Sequence, residues 1–183
     1  DGNYPVGTSN VALGDTAFDG NSTGAYNVAV GDGALSATGS PNFSTAVGYY
    51  ALGSNTANSN TAIGRGSLQA NTTAENNTAV GAMSLNANTT GENNTAVGQR
   101  ALDANTTATN NTAVGRDALG ENTTGGSNTA LGQIALLNLT TGTENTAVGR
   151  GSGSQITTGS KNSILGMYNG NQGGLDIRTV SNN

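Results

Sequence analysis

Short alternating segments recur along the whole chain, as in Asn77-Thr78-Ala79-Val80-Gly81, with Ala between two residues that are β-branched or aliphatic. Such alternation predicts a short β-strand, the residue after Asn and the residue before Gly lying on one face and Ala on the other. The closing glycines are Gly14, Gly31, Gly48, Gly64, Gly81, Gly98, Gly115, Gly132, Gly149 and Gly166, 17 residues apart except for 16 between Gly48 and Gly64. The frame holds through ten copies over residues 10–166, which is 157 of 183 positions.

Two columns share the first face. They are Val11, Val28, Thr45, Thr61, Thr78 and their successors, and Leu13, Val30, Val47, Ile63, Val80, Val97, Val114, Leu131, Val148 and Leu165. Both are mostly of the residue types that strands favour. A large apolar residue four positions past the Gly, at Phe18, Leu35, Leu52, Leu68, Leu85, Leu102, Leu119 and Leu136, reads as a second buried stripe. The Ala column, from Ala12 through Ala79 to Ala147, faces away from the Val column and reads as a second tightly packed surface, where neighbouring chains approach. A polar connection follows, such as Asn71-Thr72-Thr73 or Asn88-Thr89-Thr90, with the residues of a turn or a further short strand.

Helices are excluded on physical grounds. Asn, Thr and Gly are poor helix formers, and the apolar positions do not recur at intervals of three and four. A 17-residue unit is also too short for a helical repeat, but it suffices for one coil of a β-solenoid. The expected fold is therefore all-β, a parallel β-solenoid or β-roll of about ten coils. With rungs about 4.8 Å apart, ten coils make a rod of roughly 50 Å. Stacking brings Asn10, Asn27, Asn60, Asn77, Asn94, Asn111, Asn128, Asn145 and Asn162 into file, a ladder of side-chain amides interrupted at Ser44. The repeat Gly is expected to turn the corner at positive φ. One coil cannot stand alone, so neighbouring coils and neighbouring chains are expected to complete the packing, in a closed homo-oligomer.

Composition sharpens this reading. The chain has 29 Gly, 27 Asn and 27 Thr, but only 9% charged and 4% aromatic residues. That is too little large apolar side chain for a layered globular core, and too little charge and Pro for a disordered chain. Absence of Cys and His removes thiol chemistry, the commonest general base and the commonest metal ligand. A net charge of −5 opposes a nucleic-acid partner, and no apolar run reaches a membrane-spanning length. Residues 1–9 read as an entry segment and 167–183 as an exit segment leading to a further domain or partner. Both are polar and Gly-rich, hence weak caps for the exposed coil ends.

Asn10-Val11-Ala12-Leu13-Gly14 and Asn27-Val28-Ala29-Val30-Gly31 resemble the Ser-Val-Ala-Ile-Gly repeat of YadA-like heads in trimeric autotransporter adhesins. That repeat is shorter, and its resemblance implies a trimer of left-handed parallel β-rolls. Asn94-Thr95-Ala96-Val97-Gly98-Gln99-Arg100-Ala101-Leu102 and residues 169–179 resemble more closely the repeat region of bacteriophage tail fibres that end in a peptidase S74 intramolecular chaperone. This resemblance implies a trimeric rod of a virion tail fibre, with a host receptor or glycan as its expected contact; a bacterial surface adhesin or extracellular fibril is the alternative. A third class is an ice- or glycan-binding solenoid, since stacked Thr hydroxyls form regular arrays. Against ice, the sequence offers Asn-Thr-Thr and not two clean Thr columns on one face.

No residues assemble a catalytic, cofactor or metal site, and the protein is not expected to be an enzyme. Asp15, Asp19, Asp32, Asp103 and Asp117 fall at turns after the Gly and read as solvated, without the spacing of a glycosidase pair or of a calcium loop. Gly149-Arg150-Gly151-Ser152-Gly153 lacks the Lys and following helix of a phosphate loop and reads as a corner that has lost its Leu. Tyr49 and Tyr50 form an exposed pair whose rings suit a sugar, although an incidental pair is the plainer reading. Asn-x-Thr sequons at Asn71, Asn76, Asn88, Asn93, Asn105, Asn110 and Asn122 arise from the repeat itself.

Overall fold

The computed structural model describes residues 7–20, 23–37 and 39–167. Residues 1–6 of the entry segment and 168–183 of the exit segment lie outside the described residues. Ten three-residue strands follow in order: β1 (Val11–Leu13), β2 (Val28–Val30), β3 (Thr45–Val47), β4 (Thr61–Ile63), β5 (Thr78–Val80), β6 (Thr95–Val97), β7 (Thr112–Val114), β8 (Thr129–Leu131), β9 (Thr146–Val148) and β10 (Ser163–Leu165). They form one parallel sheet in sequence order. Each strand pairs with the equivalent residues one copy later, so that Thr78, Ala79 and Val80 lie beside Thr95, Ala96 and Val97. The chain is a β-solenoid of about nine turns, with no helix among the described residues. At about 4.8 Å per rung, β1 and β10 lie about 43 Å apart.

The short copy does not disturb this register. Asn71, Asn88, Asn105 and Asn122 each donate Nδ2 to a carbonyl three residues on, whereas Asn55 donates to Ala57, only two on, at 2.7 Å. The missing residue is thus the second Thr of the connection. Removing it there leaves Thr45 beside Thr61.

The Leu column lies inside the coil, with Leu35 to Leu136 fully buried and Phe18 3% exposed. The Ala column is inside too: Ala29, Ala46, Ala62, Ala79, Ala96, Ala113, Ala130 and Ala147 are all at 0%. This overturns the expectation that Ala forms a surface between chains. The strand has two faces, and the interior takes the smaller side chains because Leu and two Asn per coil already occupy it from the other walls. The ninth coil makes the reason visible. Gly153 replaces Leu, and on the next strand, β10, the Ala column holds Ile164, whose Cδ1 lies 2.9 Å from where a Gly153 Cβ would stand. A larger residue enters from the strand only where Leu is missing.

Buried polar groups are met by the rungs above and below. In the first Asn ladder, each Oδ1 accepts the backbone N–H of the next rung's Asn at 2.9 to 3.0 Å. Each Nδ2 donates to a carbonyl fourteen residues on, as from Asn94 to Ala108 at 2.8 Å. Ser44 continues the file, its Oγ accepting the Asn60 N–H at 3.3 Å. A second ladder, Asn55, Asn71, Asn88, Asn105 and Asn122, links amide to amide at 2.7 to 3.3 Å. It ends where Leu139 stands one rung beyond Asn122, and Asn122 Oδ1 is left as a buried acceptor without a partner.

Corners require unusual backbone. The repeat glycines have φ from 122° to 138° between Gly14 and Gly149. A Cβ on Gly98 would meet the carbonyl carbon and oxygen of Gly115 at 2.6 Å, so no other residue fits. Each coil turns further at residues two and four past the Gly and at the residue before the ladder Asn, giving 23 non-glycine residues with positive φ among those described. Asn76, Asn93 and Asn110 suit this conformation. The buried leucines, such as Leu85 at 49°, are held in it by packing.

Gly98→Ala is therefore expected to cost about 3 kcal/mol or more, read as a lower midpoint in thermal or denaturant unfolding. Asn94→Ala would orphan the Asn111 N–H and the Ala108 carbonyl and is expected to cost about 2 to 5 kcal/mol, whereas Asn93→Gly, next door but exposed, should leave the midpoint unchanged or higher.

Candidate interaction surface

With Ala directed inward, the residues flanking it on every strand point out. The outer face of the sheet therefore carries two parallel files: Val, Thr or Ser in one, and Val, Ile or Leu in the other. Pairing holds them in register, so Val47, Ile63, Val80 and Val97 are stacked one per rung. These side chains keep part of their surface in solvent. Ile63 is 41% exposed and Val114 38%, and the terminal Leu13 and Leu165 reach 68% and 64%. The result is an apolar ribbon one side chain wide and about 43 Å long, beside a file of hydroxyls.

The two kinds of Thr differ in role. In the connections, Thr72, Thr89, Thr106 and Thr123 donate their hydroxyls to the Thr carbonyl one rung on, at 3.0 to 3.2 Å. On the strands, the hydroxyls from Thr45 to Thr146 make no hydrogen bond with the other described residues. They face solvent, one per rung. No charged residue stands on this face. Arg100, Asp103, Arg116 and Asp117 form an exposed network at the corner, with contacts of 3.2, 3.7 and 3.5 Å. At the C-terminal edge, Thr146, Val148, Ser163, Ile164 and Leu165 line a shallow depression of about 170 Å³.

The other candidate residues are dispersed. Asp15 and Asp19 are exposed on the first rung and Asp32 on the second, Asp32 accepting a hydrogen bond from Thr16. Among the described residues no three acidic side chains gather as a metal site would require. The segment Gly149 to Gly153 forms the corner of the ninth coil, with Gly153 at φ 63° where Leu stands elsewhere. Tyr49 and Tyr50 are exposed and in edge contact, ring centroids 4.6 Å apart. A second aromatic pair, Tyr26 and Phe43, was not read from the sequence. Its signal was present, because the two are 17 residues apart and so fall on the same corner of adjacent rungs.

No protein-family model, curated protein or solved structure matches this chain. What the surface does is argued below from its residues and the resemblance of its repeat.

The sequons divide into two sets. Asn71, Asn88, Asn105 and Asn122 are fully buried with their amide nitrogens engaged, while Asn76, Asn93 and Asn110 are exposed at corners. In a glycosylating host, peptide mass mapping is expected to find glycan on the second set alone; modification at Asn88 would contradict the inward ladder.

Proposed function

We propose that this chain is a structural and adhesive fibre segment: a rigid β-solenoid rod that assembles as a homotrimer, in a bacteriophage tail fibre of the kind its repeat resembles, and that contributes to contact with a host-surface receptor. It performs no catalysis. One observation carries the reading: an unbroken file of partly exposed aliphatic side chains runs the length of one face.

Monomers seldom leave so continuous an apolar strip in water. Completing the burial of ten such residues is worth on the order of 1 kcal/mol each, about 10 kcal/mol per chain. That is comparable to the roughly 4 to 15 kcal/mol that association costs, so a full-length ribbon suffices where two or three rungs would not. Three rods placed with these faces toward a shared axis bury every ribbon at once and close the assembly. The number three comes from the family resemblance; the side that is buried comes from the exposure. A bacterial trimeric surface adhesin would use the same rod.

A second reading is favoured by the strand Thr file. Its hydroxyls make no hydrogen bond with the other described residues and recur once per rung beside a file of aliphatic groups, a single clean Thr column where two were looked for. Such a surface suits ordered water and hence ice, if the chain is monomeric.

Native mass measurement separates the two. The expected result is three chains, and Val80→Asp with Val97→Asp is expected to give a monomer with unchanged far-ultraviolet circular dichroism. A monomeric parent protein would overturn the fibre reading; thermal hysteresis in that monomer would establish the second.

A further inference from the structure

The aromatic residues are not spread along the rod as the repeat is. Tyr26, Phe43, Tyr49 and Tyr50 all belong to the second and third rungs; the Tyr26 and Phe43 column elsewhere holds Ser, Asn, Glu or Lys, and the other two columns vary among small, polar, charged and aliphatic residues but carry no further aromatic among the described residues. All four are exposed, by 55%, 64%, 54% and 39%. Three of them sit at positive φ, which is unfavourable for a bulky aromatic; in the column of Tyr26 and Phe43 the neighbouring rungs meet it with Ser9, Ser59 and Asn76. Neither packing nor backbone preference explains their presence.

Their arrangement does suggest a use. Tyr26 and Phe43 stack in parallel, 2° apart with centroids separated by 5.2 Å, along the direction in which the rungs stack. The rungs on either side carry Ser9 and Ser59 in the same column, whose short side chains leave the outer ring faces open. At the opposite corner of the same strand, Tyr50 lies over Gly33, where a Cβ would meet three ring carbons at 3.0 to 3.1 Å. That side of the ring is covered by the Gly33 backbone, while the column continues with Gly66 on the next rung, which adds no side chain there. Phe43 and Tyr49 are six residues apart, so the two aromatic pairs stand at the two corners beside β3, up to about 20 Å from each other and outside the outer face of the sheet. Polar groups stand beside the first pair: Asn42 bonds to Asn58 at 3.1 Å, and Asn58 to Glu75 at 2.9 Å.

We propose that these two aromatic pairs form two corner subsites for a neutral oligosaccharide, each left outside the face that the trimer buries, pyranose rings stacking their C–H faces on the exposed rings while hydroxyls meet the amides and the carboxylate beside the first pair. Flat, uncharged and unbranched apolar surfaces of this kind match the face of a sugar ring, and Tyr presents such a face at little entropic cost. Asp32 and Arg65 flank Tyr49 in its column, one charge of each sign, and this balance favours a neutral ligand over an acidic one. The inference deepens the adhesive part of the proposed function, since it names the ligand class and the rungs that meet it.

The test is saturation-transfer nuclear magnetic resonance on the full chain, irradiating protein aromatic protons in the presence of cellotetraose, a β-linked galactotetraose or chitotetraose. Transfer to the ring protons of at least one is expected. The variants Tyr26→Ser with Phe43→Ser, and Tyr49→Gln with Tyr50→Gly, introduce residues that other rungs already carry at those columns, so folding is retained. Each pair is expected to weaken binding about tenfold. No transfer from any of the three, or transfer undiminished in both variants, would overturn the site. Native mass measured on the same samples keeps the two readings apart: a trimer without sugar binding removes only this inference, a sugar-binding monomer removes only the fibre. Should either variant lose both binding and trimer, the aromatics belong to the contact between chains and the saccharide site is refuted.

Discussion

A coil whose interior holds one Leu, two or three residues no larger than Ala or Ser, and two Asn cannot be held closed by apolar burial. What closes it is hydrogen bonding along the axis. Backbone pairing at the strands, at the Leu corner and at the connecting Thr runs from each rung to the next, as in Thr78 to Asn94, Leu85 to Ala101 and Thr89 to Thr106. The Asn ladders do the same within the interior. An inward amide is tolerable only because its neighbours along the axis present matching groups at the right height; at the last such rung, Asn122, the acceptor is left over. Identity between copies is thus a physical requirement, since a buried polar group with nothing opposite it costs about 1 to 3 kcal/mol.

Rung spacing sets where variation is allowed. At the Gly column successive backbones are too close for any side chain, and at the Leu and Ala columns volume is shared across a narrow interior. At the corners the side chain leaves the coil, and there the sequence wanders freely among Gly, Met, Arg, Asp, Ile and Tyr in one column. Rod and recognition are therefore separable. The inward columns keep the coil, while the corner columns and the outer sheet face carry whatever distinguishes one stretch of rod from another.

The outer face joins both roles. It belongs to the strand, so its register is as regular as the interior, yet it points to solvent. Its aliphatic file and its unbonded Thr hydroxyls are ordered by the same pairing that orders the ladders. A surface with that regularity suits a partner with matching periodicity, and a further copy of this chain is such a partner.

The primary sequence by itself determined the period, the parallel stacking that follows from it, the Gly corners, the Leu stripe and the first Asn ladder, because each is a column of one residue type repeating every 17 positions. The second Asn ladder repeats as plainly in Asn71, Asn88, Asn105 and Asn122, but a polar triplet reads as a turn until an interior is known to lie behind it. Which strand face looks inward was decided only by tertiary structure. Alternation separates Ala from Val without saying which is inside, and hydrophobicity points to Val. Interior volume reverses that answer, since Leu and Asn from the other walls leave room for a methyl group and no more. The aromatic pairs follow the same logic: sequence places Tyr26 one period before Phe43, but only the stacked coil gives their rings open faces on a common corner.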